Sequence, residues 1–282
     1  MSIRTDLVTE RRELHTEKIH GAHRQTEEQD GICTEKITIE TDEAAQNLGK
    51  PKGVYITLSF ENLQTLVCLE PLEDAIVKAL ETLLPTKRNN VLVVGLGNRE
   101  ITPDALGPLA VDRLLITRHI SPEFSKQYSL PPLHAVSSLT PSVIGKTGIE
   151  TLEIIEGVVN RSHPDAVLVL DALAARRPER LCRTLQLSNT GISPGSGVQN
   201  SGKEISQKTL GIPVIALGIP TVVDVASLVF DLTGQEDVPS ADMVVTPKDI
   251  DQLIDRCAAL LSGAINRFLQ PELDRETLQY LA

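Results

Sequence analysis

Ala166-Val167-Leu168-Val169-Leu170-Asp171 is apolar at odd and even positions alike until a carboxylate ends it. A strand with one face in water alternates apolar and polar residues, whereas an unbroken apolar run reads as a strand covered on both faces. Val91-Leu92-Val93-Val94-Gly95 has the same character. Helical patterns stand between such strands, so the reading is a three-layer α/β/α domain around a mostly parallel, doubly wound sheet.

Outward from these strands the rhythm continues. Residues 54–60 read as a strand, 72–84 as a helix, 103–116 as a helix, 134–137 as a strand and 150–160 as a helix, with further strands at 181–187 and 213–217. Near the end, Ile250, Leu253, Ile254, Cys257, Leu261, Ala264, Ile265 and Phe268 recur at helical spacing behind the start signals Thr246, Pro247 and Asp249. Residues 1–52 are polar, with little apolar period, and read as a loosely held arm on one large domain, its histidines (His15, His20, His23) solvated. The turn-rich segment 189–202 is too long for a simple connection and reads equally as a surface loop or a wall of a cleft.

Composition narrows the function. A chain of 282 residues, 41% hydrophobic, can bury a sizeable core, but with 2% aromatics that core is aliphatic. A formal charge of -11 opposes a phosphate-binding surface, so no direct nucleic-acid partner is expected. No signal-peptide pattern and no membrane-length apolar run is present, which places the chain in the cytoplasm. Cys33, Cys68, Cys182 and Cys257 lie far apart and suggest reduced, mostly buried thiols rather than a zinc site or a disulfide framework.

Gly95-Leu96-Gly97 follows a strand, but Glu100 stands where a dinucleotide loop has its third glycine. Walker, Gly-x-Ser-x-Gly and His-Glu-x-x-His motifs are also missing, so no cofactor and no metal are expected. Carboxylates at strand ends remain. Asp104, in Thr102-Pro103-Asp104-Ala105-Leu106-Gly107-Pro108, falls in a first helical turn that Thr102 could cap, where the helix dipole favours an ionised base. Asp171 stands where a buried strand emerges, on the same edge of a parallel sheet. Two close carboxylates that share one proton supply a base and an acid for hydrolysis through water. The same positions also suit a dipole partner and a turn cap, and Asp224, at a similar strand exit, reads as structural.

Val93-Val94-Gly95-Leu96-Gly97-Asn98, Thr102 to Pro108, Thr117-Arg118-His119, Thr147-Gly148-Ile149-Glu150, Asp171-Ala172-Leu173-Ala174-Ala175-Arg176, Pro194-Gly195-Ser196-Gly197 and Gly218-Ile219-Pro220-Thr221-Val222-Val223-Asp224 together resemble the germination protease family over most of the chain. The resemblance implies an atypical aspartic endopeptidase that degrades small acid-soluble spore proteins, with Asp104 and Asp171 as the catalytic pair. It further implies a homotetramer in the spore core, made as a zymogen whose N-terminal piece is removed by self-cleavage. Thr5-Asp6-Leu7-Val8 is similar to the family's cleavage site, so a propeptide of residues 1–6, ending at the Asp6–Leu7 bond, precedes a protease domain of residues 7–282. Arg176, Arg177 and Lys203 are candidates for pairing with a substrate glutamate. The Gly-Leu-Gly-Asn loop is similar to that of the hydrogenase maturation endopeptidases as well, which implies a shared α/β fold and, as the alternative, a metal-dependent mechanism. A non-enzymatic α/β binding module is the remaining rival.

Overall fold

The computed structural model describes residues 4–15, 17–84, 88–127, 130–195, 202–234 and 243–281. Its strands are β1 (Ala22–Gln29), β2 (Ile32–Ile39), β3 (Gly53–Ser59), β4 (Asn90–Gly95), β5 (Ala135–Leu139), β6 (Ala166–Ala175), β7 (Thr184–Ser188), β8 (Val214–Asp224) and β9 (Val244–Val245). They form one sheet in the order β1-β2-β3-β7-β8-β6-β4-β5, with β9 paired to β8. The stretch β8-β6-β4-β5 is parallel, and the remaining pairings are antiparallel.

The helices are α1 (Val8–Glu13), α2 (Asp42–Leu48), α3 (Glu70–Leu83), α4 (Leu106–Val111), α5 (Pro122–Gln127), α6 (Ile144–Thr147), α7 (Thr151–Ser162), α8 (Gln207–Leu210), α9 (Val225–Thr233), α10 (Ile250–Leu269) and α11 (Arg275–Leu281). Alternation along the central strands divides the core into two layers. Val91, Val93, Leu168 and Leu170 pack with α3, α4 and α10, while Leu92, Val94, Val167 and Val169 pack with α7. This is the three-layer α/β arrangement that doubly apolar strands require.

Two expectations are corrected. Residues 22–39 are not a loose arm but a hairpin that extends the sheet, turning at Asp30-Gly31, both with positive φ (52° and 74°). An Asp-Gly pair suits such a turn, but β1 is an edge strand exposed at all but its first position, so Ala-His-Arg-Gln-Thr-Glu-Glu-Gln carries no apolar period to read. The helix expected at 103–116 is a 3-10 turn, Thr102–Asp104, followed by the short α4. Beyond α4, Asn266 of α10 accepts from Leu115 N–H (2.9 Å) and donates to Arg113 O (3.1 Å). Tertiary partners there replace the bonds a continuing helix would have made.

β6 and β8 both run past the expected ends. β4 stops at Gly95, opposite Leu170, while β6 continues to Ala175 paired with β8, with a bulge after Leu173. An edge of β6 is therefore left open beside the end of β4.

Candidate active site

The site is built around that open edge. Leu96 N–H donates to Leu170 O (2.8 Å), tying the loop after β4 to the residue before Asp171. Gly97 has φ of +110°, and a Cβ there would lie 2.0 Å from Asp104 O; a Cβ on Gly107 would lie 2.4 Å from Leu96 O. Backbone can approach backbone this closely only without side chains. The turn is completed by Asn98 N–H, which donates to Asp104 Oδ2 (2.7 Å), and by Asn98 Oδ1, which accepts from Glu100 N–H (3.1 Å).

Asp104 and Asp171 thus line one cleft of 600 Å³, together with Gly97, Asp6, Pro194 and Thr221. Asp171 lies within β6 rather than at its exit, one residue beyond the end of β4, and only 6% of its surface is exposed. Burial, then the charge of Asp104, then that of Asp6, hold its pKa well above the usual carboxylate range, against a single opposing bond from Ala172 N–H. Burial also raises the pKa of Asp104, and the Asn98 N–H acts the other way. Thr102 makes no side-chain cap, so desolvation rather than a helix dipole dominates at Asp104, and the Asn98 N–H rather than a capped helix terminus is what favours its ionised form.

The chain's own N-terminal segment occupies the open edge. Asp6 N–H donates to Ala174 O (2.9 Å), and Ala174 N–H donates to Asp6 Oδ2 (2.8 Å). Leu170 and Ala174 present their backbone groups on the same side of β6, so the segment takes the place β4 vacates. Leu7 is fully buried among Leu173, Ala175, Leu181 and Val223. Gln186 of β7 accepts from Val8 N–H (2.7 Å) and donates to Asp6 O (3.1 Å), while Leu7 N–H donates to Thr5 Oγ1 (3.1 Å). Glu10, 1% exposed, receives the backbone N–H groups of Arg176 (2.7 Å) and Arg177 (3.0 Å). Arg4 pairs with Asp224 (3.2 Å), which caps α9 by accepting from Ser227 N–H (2.9 Å).

The other candidates fall elsewhere. Arg176, Arg177 and Lys203 face Asp231, Glu13 and Glu153, and none of the three lines the cleft. Pro194, Gly195 and Gly202 of the long loop do line it; residues 196–201 lie outside the described residues. Among the described residues no group of three or more His, Cys, Asp and Glu side chains is placed to hold a metal ion. Nor is any helix among them long and apolar enough to cross a membrane. Gln186 carries no local sequence signal, because its partners lie more than 160 residues away, and neither do the contacts of Glu10 with the N–H groups of Arg176 and Arg177.

Residues 3–234 match the family model described as germination protease. The germination protease of Caldanaerobacter subterraneus is 40% identical, with 100% of this chain and 98% of that protein covered. Those of Clostridium tetani and Priestia megaterium are 37% and 35% identical, over 99% and 98% of this chain and 98% and 95% of theirs. Among solved structures, a NiFe hydrogenase maturation protease from Thermococcus kodakarensis aligns with a TM-score of 0.37 at 17% identity, covering 66% of this chain and 98% of that one. The chain belongs to the germination protease family and is an endopeptidase.

Proposed function

We propose that this endopeptidase works through Asp104 and Asp171 and is made as a zymogen that cuts its own Asp6–Leu7 bond. The observation that carries the reading is the shared cleft: buried Asp171 and half-buried Asp104 line it, and the N-terminal segment is threaded along the same strand edge.

The environments divide the labour. Asp171 is the more deeply buried and faces two other carboxyl groups, so it carries the shared proton. Asp104, held by the Asn98 N–H, is the carboxylate. It takes a proton from water as the water oxygen attacks the peptide carbonyl carbon, while Asp171 gives its proton to the carbonyl oxygen. Collapse of the tetrahedral intermediate breaks the C–N bond. The proton on Asp104 passes to the departing nitrogen, and the hydroxyl proton returns to Asp171.

Until it is cut, the segment 4–6 excludes other chains from the edge of β6. Its removal exposes Ala174 N–H and O to an extended substrate, which can add there as a strand. The substrates are small acid-soluble spore proteins, and the enzyme acts as a homotetramer in the spore core; family membership supports these readings. Intact-mass measurement during incubation at acid pH tests the zymogen: a new N-terminus at Leu7, followed by digestion of an acid-soluble spore protein, is expected. Retention of residues 1–6 by a sample that already digests that protein would sink it.

A further inference from the structure

The scissile bond of the proposed self-cleavage is already bracketed by one side chain. Gln186 Nε2 donates to Asp6 O (3.1 Å), the carbonyl oxygen of that bond, and Gln186 Oε1 accepts from Val8 N–H (2.7 Å). The Val8 N–H can only donate, so it fixes Oε1 as the acceptor and leaves Nε2 to face the carbonyl. On the other side of the bond, the departing Leu7 N–H donates to Thr5 Oγ1 (3.1 Å).

The sheet places Gln186 for this contact. Gln186 pairs with Gly218 of β8, and Gly218 pairs with Asp171 of β6. Directly paired positions present their side chains on one face, so Gln186 and Asp171 lie to either side of Gly218, whose open face the Leu173 side chain covers; Gln186 lines the pocket next to the catalytic cleft, and Asp6 lines both. Gln186 is largely buried, and its amide dipole is aimed where water competes poorly.

We propose that Gln186 is a further catalytic residue, whose amide N–H holds the scissile carbonyl and stabilises the negative charge that develops on its oxygen. This rests on the reading of Asp6–Leu7 as the bond the enzyme cuts in itself. As the water oxygen adds to the carbonyl carbon, the carbonyl π electrons move to oxygen. A fixed donor there strengthens its bond in the transition state, which distinguishes it from an anchor that binds both states equally.

The test uses the full-length chain and two substitutions. Gln186→Glu keeps an acceptor for Val8 N–H and removes the amide donor; Gln186→Met is close in size and removes both. Self-cleavage is followed by intact mass, and docking of residues 4–10 by hydrogen exchange. Gln186→Glu is expected to slow cleavage by about 100-fold or more, on the scale of a lost oxyanion donor, with the segment still protected. Gln186→Met is expected to be at least as slow. Cleavage by Gln186→Glu within threefold of the parent overturns the proposal, as does a slowing that tracks lost protection. A parent that never releases residues 1–6 removes the self-cleavage reading and this proposal together, whereas a parent that cuts itself and a Gln186→Glu variant that keeps pace remove the proposal alone.

Discussion

Asp171→Asn should stabilise the protein at neutral pH while it abolishes activity. The carboxyl is 6% exposed and faces Asp104 and Asp6, and it accepts a bond from Ala172 N–H (2.9 Å) that an asparagine oxygen can keep. Its pKa is raised in the folded chain above the ordinary 3.8. Between the two values the folded state binds the extra proton, so stability is fully present below about pH 3.8 and is lost as pH rises through the folded pKa. Asparagine has no proton to lose and escapes that penalty. For a chain of this size each 1 kcal/mol gained moves Tm by roughly 2–4 °C, so the variant should melt measurably higher than the parent at pH 7–8. The difference should vanish near pH 3. Thermal melts of both proteins across pH 3–8 measure it. A variant no more stable than the parent at neutral pH, or a gain that grows with acid, would refute the buried, proton-holding Asp171.

Other substitutions probe the frame around the pair. Gly97→Ala drives a Cβ to 2.0 Å from Asp104 O at a φ of +110°; the turn must shift, and peptide hydrolysis should fall by about 100-fold, as about 1 Å of misplacement does. Activity within threefold of the parent would show that the turn does not position Asp104. Asp224→Ala removes the cap on Ser227 N–H and should cost about 1–2 kcal/mol in urea unfolding, with hydrolysis retained; loss of turnover in a folded variant would contradict its structural role. Glu10→Gln turns an amide NH2, a donor, toward one of the N–H groups of Arg176 and Arg177 and should cost about 1.5–3 kcal/mol. A change below about 0.5 kcal/mol would show that α1 is anchored otherwise.

What the sequence made legible was local. The doubly apolar runs at 91–95 and 166–170 announce covered parallel strands, and the carboxylates just beyond them mark the edge where the cleft forms. The expected catalytic pair does line one cleft. Asp171 reads as a strand exit because a charge ends the apolar run there; pairing with the long β8 carries β6 on to Ala175. The N-terminal hairpin stayed hidden because β1 has no buried face. Gln186 was invisible for a different reason: in Thr184-Leu185-Gln186-Leu187 it reads as the outward residue of an ordinary strand, and its meaning comes from a segment 178 residues earlier in the chain.

The most direct measurement is cleavage by Asp104→Asn and Asp171→Asn beside the parent, scoring both release of residues 1–6 and digestion of an added acid-soluble spore protein. Each asparagine keeps the shape of its site and removes the carboxylic acid. The account predicts that both variants remain folded and lose both reactions by at least about 10³-fold, since base and acid act as one unit. Either variant cutting within tenfold of the parent would place the chemistry outside this pair.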